Sequence, residues 1–326
     1  ADALSGLAHD PLVVGRPASW ELIVAFLCAL LGVLATHRKL TRPRLAPVIL
    51  GMLLLLAVGH YLRTKPPPSM EVFFIPVGQG DASLVRLPSG ENILIDAGGS
   101  AFVDTGERAV VPALHGLGIS SLSLAVLSHG DLDHVGGAAS VFTAYPPGEL
   151  WYRDDPSSAA QNLAVSQAQA AGAFLVDIED AHRRVEVGGA QVDVLVPGQV
   201  VSLEGRNDNS LVVRIATADG AVLFPGDIER DGERVLSGEF GGAIAAQVLK
   251  VPHHGSRTSS SSDLLRAVRP SVGVLSLGEH NRFGFPHREA VERLEGERVV
   301  LLRTDLDGLI RLRFFDGRVE AFGNAP

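Results

Sequence analysis

Two histidines and two aspartates lie within six consecutive positions of this chain, in the segment SHGDLDHVGG at residues 128–137. They are His129, Asp131, Asp133 and His134. Imidazole nitrogens and carboxylate oxygens are common ligands of divalent cations in proteins. One such histidine alone would be ordinary in a loop, but this density at one glycine-flanked turn predicts a metal site.

Further candidate ligands follow short apolar segments elsewhere in the chain. Asp96 ends ILIDAGG, Asp227 ends VLFPGD, and His253 and His254 follow VLKVP. Short apolar runs bounded by glycine or proline are typical of buried strands. Because strand ends can converge at one edge of a sheet, we expect these side chains to join the segment at 128–137 in one site.

A second group of polar residues is open to two interpretations. Gln79 and Asp81, in VGQGDAS, belong either to a glycine turn between strands or to the surroundings of the site. The segment HNRFGFPH contains three candidates that either bind a substrate phosphate or cap a turn, namely Asn281, Arg282 and His287. Ser256 begins a serine-rich loop with no base pattern around it, so we expect it to contact substrate and not to act as a nucleophile.

The charge of the chain limits the kinds of partner that it can bind. The net charge of the 326 residues is -9, and residues 70–326 alone carry 21 basic and 34 acidic side chains, a net of -13. A broad basic surface for nucleic acid is therefore excluded, and an anionic substrate must be held locally, by metal ions or a small basic patch. The single cysteine, Cys28, lies in an apolar run, which excludes disulfides and cysteine-based zinc sites downstream.

Two apolar runs, at 22–36 and 45–62, precede the polar part of the chain. Their uniform apolarity and the flanking aromatic residues predict two transmembrane helices, with buried helices of a soluble core as the alternative. The basic segment HRKLTRPR between them favours a cytoplasmic connecting loop, although Arg63 and Lys65 favour the opposite orientation. Because the chain begins at Ala1 and not at Met, we expect it to be part of a longer membrane protein.

The remaining sequence predicts one large α+β domain. KPPPS is typical of a stiff linker, so we expect a membrane region over 1–64, a linker over 65–70 and a folded domain over 71–326. Short strands joined by turns come first in this domain, and strands that alternate with helices follow. This order favours two packed sheets covered by outer helices, a sandwich of four layers.

The pattern HxDxDH resembles the HxHxDH signature of the metallo-β-lactamase superfamily, with Asp131 in place of the second histidine. Over residues 71–322 the chain resembles, more specifically, the C-terminal metallo-β-lactamase-type domain of the ComEC family of DNA-uptake competence proteins. The motifs that carry this resemblance, in order, are VGQGDAS, LIDAGG, NDNSLVVR, FPGD, LKVPHHGSRTSS and GEHNRFGFPH. It implies an αββα four-layer sandwich, preceded by the last two transmembrane helices of a membrane channel.

The resemblance also implies metal-binding roles. His129 and Asp131 would bind a first metal ion, and Asp133 and His134 would bind a second. Asp227 would bridge the two ions. One of His253 and His254 would complete the second site, and we expect these neighbours to point to opposite faces of an extended strand.

Residues around the ligands also have implied roles. Asp96 would orient the ligand loop through hydrogen bonds, with Asp81 and Gln79 beside it. The wider superfamily has a histidine on the first metal where this chain has NDNS at residues 207–210. Asp208 would either supply an oxygen ligand there or support the ligands. For the reaction itself, the implied catalytic residues are Asp131, Asp227 and His254.

The implied activity is that of a metal-dependent nuclease. Two divalent ions held close together can activate water and stabilise the attacking and leaving oxygens of phosphodiester cleavage. Replacing imidazole by carboxylate favours manganese, with magnesium or zinc as alternatives. The resemblance implies DNA as substrate, and the rest of an uptake channel and its receptor machinery as partners. The protein would lie in a bacterial inner or cell membrane, with its hydrolase domain on the periplasmic or extracellular side.

Two other functions are compatible with the sequence. One is hydrolysis of a small ester, lactone or β-lactam. A first metal site made only of histidines would favour this activity, and Asp131 in place of a histidine disfavours it. The other is a DNA-binding module of the channel without catalytic activity. Loss of Asp133, His134 or Asp227 would have indicated such a module, and the sequence retains all three.

Overall fold

The computed structural model describes residues 42–179, 182–196 and 207–322, together with the helical residues 26, 27 and 30. The side chains of residues 42–48 and 63 are outside this description. The chain divides into two compact units. The first contains the residues up to Lys65 together with Leu114–Ile119, and the second contains the rest.

The first unit contains helix α1 (Arg42–Thr64). Its described side chains include several exposed leucines, such as Leu50, Leu54 and Leu62. Among the residues described here, no helix has the length and apolarity needed to cross a membrane. The predicted run at 45–62 lies within α1, whereas the run at 22–36 lies outside the described residues apart from 26, 27 and 30.

The second unit contains the strands and the shorter helices. The strands are β1 (Glu71–Phe74), β2 (Ser83–Arg86), β3 (Asn92–Ile95), β4 (Leu122–Val126), β5 (Pro147–Tyr152), β6 (Phe174–Asp177), β7 (Arg183–Val187), β8 (Ala190–Leu195), β9 (Val212–Thr217), β10 (Gly220–Phe224), β11 (Val248–Lys250), β12 (Val272–Leu275), β13 (Val300–Arg303), β14 (Ile310–Phe315) and β15 (Arg318–Phe322). The helices are α2 (Val111–Gly116, after a π-helical turn over Gly106–Val110), α3 (Leu132–Val135), α4 (Ala138–Ala144), α5 (Ala159–Ala170), α6 (Arg230–Phe240), α7 (Ser262–Val268), α8 (Arg288–Gly296) and α9 (Thr304–Asp307). The last three residues of α2, 114–116, belong to the first unit. Residues 65–70 contain neither a helix nor a strand.

Two mixed sheets form the centre of this unit. Their strand orders are β15-β14-β1-β2-β3-β4-β5-β6 and β13-β12-β11-β10-β9-β8-β7. The apolar core lies between them and includes Phe74, Trp151 and Phe224. Strand β14, with the sequence IRLRFF, shows why certain side chains belong to the core. Side chains alternate between the two faces of a strand, so Ile310, Leu312 and Phe314 enter the core.

Helices cover the outer faces of both sheets. Residues of α6, α7 and α8 join a second apolar cluster on β9, β10 and β11, with Leu236, Leu264 and Leu294 among its members. On the other sheet, α5 packs against α4, β5 and β6. The predicted architecture of two sheets between outer helices is therefore confirmed.

Parallel pairing decides where the functional residues meet. Strands β3, β4, β5 and β6 are parallel neighbours, as are β10, β11, β12 and β13. The carboxyl ends of parallel neighbours lie at the same edge of a sheet. Most of the predicted ligands lie in the segments that follow β3, β4, β10 and β11. These segments begin at the carboxyl ends of parallel strands.

Candidate metal centre

Four buried side chains converge beside these strand ends. Asp81, His134, Asp227 and His254 each offer one nitrogen or oxygen atom, and these atoms all lie within 4.8 Å of one another. The Nε2 atom of His134 is 3.2 Å from Oδ1 of Asp227, and Nε2 of His254 is 3.3 Å from Oδ2 of the same carboxylate. Asp81 was expected only beside the site, but it lies within the cluster itself.

Unpartnered atoms in this cluster fit a divalent cation. Within the described part of the chain, no hydrogen bond reaches Nε2 of His129, His134 or His254, or Oδ1 of Asp81, although all four atoms are buried. Burying polar atoms without partners is costly, and most proteins avoid it. Imidazole nitrogens and carboxylate oxygens are the atom types that bind metal ions in proteins, so these four atoms suit a divalent cation.

Asp96 holds His134 in this orientation. Its Oδ2 lies 2.8 Å from Nδ1 of His134, and its two oxygens accept hydrogen bonds from the backbone N–H and the hydroxyl of Ser128, at 2.8 and 2.7 Å. The opposite ring nitrogen of His134 is thereby directed at Asp227. Burial acts to lower the pKa of His134, but the charges of Asp227 and Asp96 outweigh it and raise that pKa well above its usual value.

His129 and Asp131 lie beside the cluster. The ring centroid of His129 is 4.1 Å from that of His134, and its Nε2 is 3.7 Å from Oδ2 of Asp131, whose side chain is 33% exposed. Burial, together with the charge of His134, lowers the pKa of His129 to about 4. These two residues were predicted as ligands of the first metal; His129 is buried, and Asp131 is the partly exposed member of the pair.

Asp133 faces the second histidine of the cluster. Its Oδ2 lies 3.4 Å from Nε2 of His254. Burial acts to raise the pKa of Asp133, but the contact with His254 and the charge of His134 lower it below its usual value. The backbone carbonyl of Asp133 accepts a hydrogen bond from the N–H of Asp81 at 3.0 Å.

Gly80 explains the VGQGDAS motif at this contact. Its φ is +129°, and a Cβ atom there would lie 2.1 Å from the carbonyl oxygen of Asp133. Only glycine both adopts this positive φ readily and leaves room for the carbonyl oxygen without displacing the chain. The loop between β1 and β2 is therefore packed directly against the ligand loop.

The adjacent histidines 253 and 254 lie in a turn and not on an extended strand. Their φ values are +45° and +53°, so the extended backbone that the sequence prediction assumed was wrong. His254 is buried, and its Nδ1 donates to the carbonyl oxygen of Ser276 at 2.7 Å, which directs Nε2 into the cluster. Burial acts to lower the pKa of His254, but Asp227 and Asp81 raise it to about 9.

His253 lies at the rim of the cluster. Its Nε2 is 3.9 Å from Oδ2 of Asp227, and its Nδ1 is 3.1 Å from Oε1 of Glu229. Its side chain is 21% exposed, whereas that of His254 is 1% exposed. The geometry therefore favours His254 over His253 as the ligand.

Lys250 is a member of the site that the sequence reasoning missed. Its side chain is 2% exposed, and its ammonium group contacts Asp81, Oδ1 of Asp227 at 3.2 Å and the carbonyl oxygen of Gly226 at 3.2 Å. Burial acts to lower the pKa of Lys250, but the two carboxylates raise it. A lysine inside the apolar segment VLKVP was the available signal, because isolated buried charges are rare.

Asp208 has a different position from the one expected of a ligand. Its Oδ1 accepts hydrogen bonds from the N–H groups of Glu229 and Gly232, at 2.7 and 3.0 Å, at the start of α6. The contact of the NDNS segment with the cluster comes from Ser210 instead, whose hydroxyl accepts from the N–H of Asp227 at 3.2 Å. The carboxylate of Asp208 therefore caps a helix that begins beside the site.

The HNRFGFPH segment forms a loop fixed by its own side chains. The Asn281 amide donates to the carbonyl oxygens of Gly278 and Phe285, and its oxygen accepts from the Phe285 N–H. Gln79 accepts a 3.4 Å hydrogen bond from the Gly278 N–H, and Nδ1 of His287 accepts from the Arg257 N–H at 3.1 Å. Asn281 and His287 are thus engaged within the protein.

The other two predicted substrate contacts lie near this loop. Arg282 is exposed, with its guanidinium carbon 4.9 Å from the ring centroid of Phe283. The hydroxyl of Ser256 is 3.0 Å from that of Thr258, which in turn donates to Glu229 at 2.7 Å. Of this predicted group, Arg282 has the side chain that solvent reaches best.

A cavity of about 340 Å³ lies beside His129. Its lining residues are His129, Gly130, Arg153, Asp154, Asp155, Ser157 and Asn209. Arg153 places a positive charge in this lining, and its guanidinium donates to the Asn209 carbonyl at 3.5 Å. The sequence reasoning did not identify Arg153, which lies far from every motif in the chain.

Comparison with known proteins identifies relatives of the chain. The family model of the metallo-beta-lactamase superfamily matches residues 75–280. ComE operon protein 3 of Bacillus subtilis is 31% identical over 271 residues, which cover 78% of this chain and 34% of that protein. Competence protein ComA of Neisseria gonorrhoeae is 31% identical over 304 residues, which cover 93% of this chain and 40% of that protein. The chain thus spans between a third and two fifths of the length of these two relatives.

A solved structure shares the fold. The diiron beta-hydroxylase CmlA from Streptomyces venezuelae superimposes with a TM-score of 0.51 at 14% sequence identity. The match covers 77% of this chain and 55% of that one. At this identity the similarity concerns the fold alone.

Proposed function

The chain belongs to the metallo-beta-lactamase superfamily, and on that basis we propose that it is a metal-dependent phosphodiesterase that cleaves DNA during DNA uptake. One observation carries the proposal: buried imidazole nitrogens and carboxylate oxygens without hydrogen-bond partners converge at one point of the described structure. One relative is named a competence protein, and the resemblance of the sequence motifs to the ComEC family supports DNA as the substrate and an uptake channel with its receptor machinery as partners.

Two sets of residues would hold the ions. Asp133, His134, Asp227 and His254 would bind one, with Asp81 beside them in the same cluster, and His129 and Asp131 would bind the other together with Asp227. Carboxylates make up a large share of these proposed ligands, which favours manganese, with zinc and magnesium as alternatives. When bound, divalent ions would supply Lewis-acid activation and neutralise charge that develops on a phosphoryl group.

The protein's own residues would position the reactants. Lys250 holds the carboxylates of Asp81 and Asp227 in place, so the geometry of the cluster is set before substrate binds. Asp131 has a partly exposed carboxylate beside His129, and we assign it as the group that accepts a proton from the attacking water. Arg153, in the neighbouring cavity, would hold the substrate phosphate.

We propose, in addition, that the apolar runs at 22–36 and 45–62 lie in a bacterial inner or cell membrane. The exposed leucines of α1 support this, because transfer of leucine side chains from water to an apolar environment is favourable. The basic segment between the runs would be cytoplasmic, which puts the hydrolase domain on the periplasmic or extracellular side.

DNA cleavage by the full chain tests the proposed activity. Single- and double-stranded DNA are incubated with the protein in manganese, magnesium, zinc or a chelator, with Asp227→Asn as the matched inactive control. We expect cleavage in manganese that the chelator and the variant abolish. Turnover of a lactone or a chromogenic β-lactam without any DNA cleavage would contradict the proposal, as would DNA binding without cleavage in all three metals.

A further inference from the structure

A row of aromatic rings connects the metal centre with the protein surface. The ring of Phe285 lies 5.5 Å from that of His253 and 6.1 Å from that of His254, measured between centroids. The ring of Phe283 is stacked on that of Phe285, at 5.5 Å and an interplanar angle of 15°. Phe283 is 47% exposed, so the row begins beside a ligand and ends in solvent.

This row is held in place by the backbone around it. The Asn281 side chain makes three hydrogen bonds within the loop, and the N–H of His287 donates to the carbonyl oxygen of Gly255 at 2.9 Å. Gly255 itself has a φ of +81°, and a Cβ atom there would lie 2.8 Å from Pro286. The loop is therefore packed against the turn that carries His254, which places the backbone of Phe283 near the metal centre.

A cation accompanies the outermost ring. The guanidinium carbon of Arg282 is 4.9 Å from the Phe283 centroid, and the side chain is exposed. A planar guanidinium can stack with an aromatic base or turn outward to a phosphate. An exposed aromatic ring with an arginine beside it is the combination that binds unpaired bases in single-stranded nucleic acid.

The charge of the domain favours such a contact over a broad basic surface for holding a nucleic acid substrate. Residues 70–326 carry a net charge of -13, which opposes binding of a polyanion over a broad surface. Stacking does not depend on charge, and every base offers an aromatic face. A strand can therefore be held near the metal centre without an extended basic groove.

We propose that Phe283, together with Arg282, forms a stacking subsite for an unpaired nucleobase of a DNA strand whose phosphate lies at the metal centre. This inference rests on the proposed phosphodiesterase function and specifies its substrate as single-stranded DNA. The bases of a duplex are already paired and stacked, so duplex DNA offers no free face to the ring.

Binding of fluorescent oligonucleotides to the full chain tests the subsite. A short single strand that contains 2-aminopurine reports stacking through loss of fluorescence, and it is titrated in calcium with strand length checked on a gel afterwards. Phe283→Ala removes the ring, Phe283→Leu keeps an apolar side chain and Phe283→Trp keeps an aromatic one. Phe174→Ala, at another exposed phenylalanine, is the matched control.

We expect Phe283→Ala and Phe283→Leu to weaken binding by roughly 5- to 150-fold, the range associated with loss of one base–aromatic contact. Phe283→Trp and Phe174→Ala are expected to bind as the wild type does. An abasic strand should bind the wild type as weakly as an intact strand binds Phe283→Ala. Unchanged affinity in Phe283→Ala, or wild-type affinity in Phe283→Leu, overturns the subsite.

The two proposals fail in distinguishable ways. If the wild type never cleaves DNA but Phe283→Ala loses binding, the phosphodiesterase function fails and the stacking subsite stands. If the wild type cleaves DNA and binding is unaffected by Phe283→Ala, the subsite fails and the function stands. Tighter binding of duplex than of single strands would also overturn the subsite.

Discussion

The carboxylate of Asp227 contacts more charged groups than any other carboxylate described at the centre. Its Oδ1 lies 3.2 Å from both His134 and Lys250, and its Oδ2 lies 3.3 Å from His254. Burial acts to raise the pKa of Asp227, but the charges of His254, His134 and Lys250 lower it well below its usual value. The group is thus held as an anion, the state that metal binding requires.

Replacing Asp227 by Asn should therefore remove most of the activity. The amide keeps the shape but loses the charge that would offset repulsion between the two dications of the proposed centre. We expect loss of one or both metal ions by elemental analysis, and a fall in DNA cleavage of about 10³-fold or more in saturating manganese.

Asp208→Asn is the matched control, because that carboxylate caps α6 and contacts no member of the cluster in the described structure. It should retain its metal ions and most of its activity. The assigned geometry is wrong if Asp227→Asn keeps near-full activity while Asp208→Asn is inactive.

Lys250→Met should destabilise the metal-free protein more than the metal-loaded one. The change leaves Asp81 and Asp227 buried without their cation, a loss of about 3–5 kcal/mol in the free energy of unfolding. Manganese should restore part of that loss, because a bound dication neutralises the same carboxylates. Denaturant unfolding in chelator and in manganese measures both values.

Arg234→Met, which removes an exposed ion pair with Asp231, provides the control for Lys250→Met. It should cost at most about 1 kcal/mol in either condition. Equal losses for Lys250→Met with and without manganese would count against a role for Lys250 in balancing the charge of the centre.

At the scale of elements, a buried glutamate joins α6 to the loop before α7. Glu233 is in the first turn of α6, and its carboxylate accepts hydrogen bonds from the N–H groups of Ser260 and Ser261, the latter at 2.7 Å. Burial raises the pKa of Glu233 from 4.5 to about 7, although these hydrogen bonds and Arg293 act to lower it. The folded protein therefore holds a proton that the unfolded chain releases.

This raised pKa predicts a dependence of stability on pH. Between about pH 4.5 and pH 7 the folded state binds the proton and the unfolded state does not, so the contribution of Glu233 to stability falls as pH rises. Relative to Glu233→Gln, the wild type should lose on the order of 3 kcal/mol across this window. Denaturant unfolding at several pH values, with the exposed Glu292→Gln as control, measures the difference. Parallel curves for wild type and Glu233→Gln would contradict the assignment.

At the scale of the whole molecule, the basic and acidic residues are unevenly distributed along the chain. Residues 1–69 carry seven basic and three acidic side chains, whereas the remainder has a net charge of -13. The basic segment HRKLTRPR lies between the two apolar runs. A cytoplasmic position for this segment would place the acidic domain on the other side of the membrane, in agreement with the proposed localisation.

A reporter fused after residue 69 tests this topology. Alkaline phosphatase, which is active only outside the cytoplasm, should be active in the fusion, and a reporter that works only in the cytoplasm should be inactive. Replacing the four basic residues of HRKLTRPR by glutamine should weaken or invert this orientation, because the excess of positive charge defines the cytoplasmic side. Cytoplasmic activity of the unmodified fusion would refute the proposed localisation.

Local sequence alone predicted the two-sheet architecture and most of the residues that meet in the candidate metal centre. The apolar segment before His129 is a strand, and the ligand loop follows it, because hydrophobic periodicity and glycine placement act over a few residues. The alternation in β14 likewise indicates which side chains enter the core. The resemblance of HxDxDH to the superfamily signature is also local, since its spacing is contained within one turn, and together with the other motifs it predicted the superfamily that the family model confirms.

Tertiary structure decided the rest, because it depends on side-chain direction and on contacts between distant segments. His254 turns inward because its Nδ1 donates to the distant Ser276 carbonyl oxygen, within a turn of positive φ that neither histidine requires. Asp81 and Lys250 meet only because β2 and β11, in different sheets, place their neighbouring segments at one edge. The same long-range packing put Asp208 at the start of α6 and Phe285, which carries the stacked Phe283, beside His253 and His254, positions that no spacing in the sequence specifies.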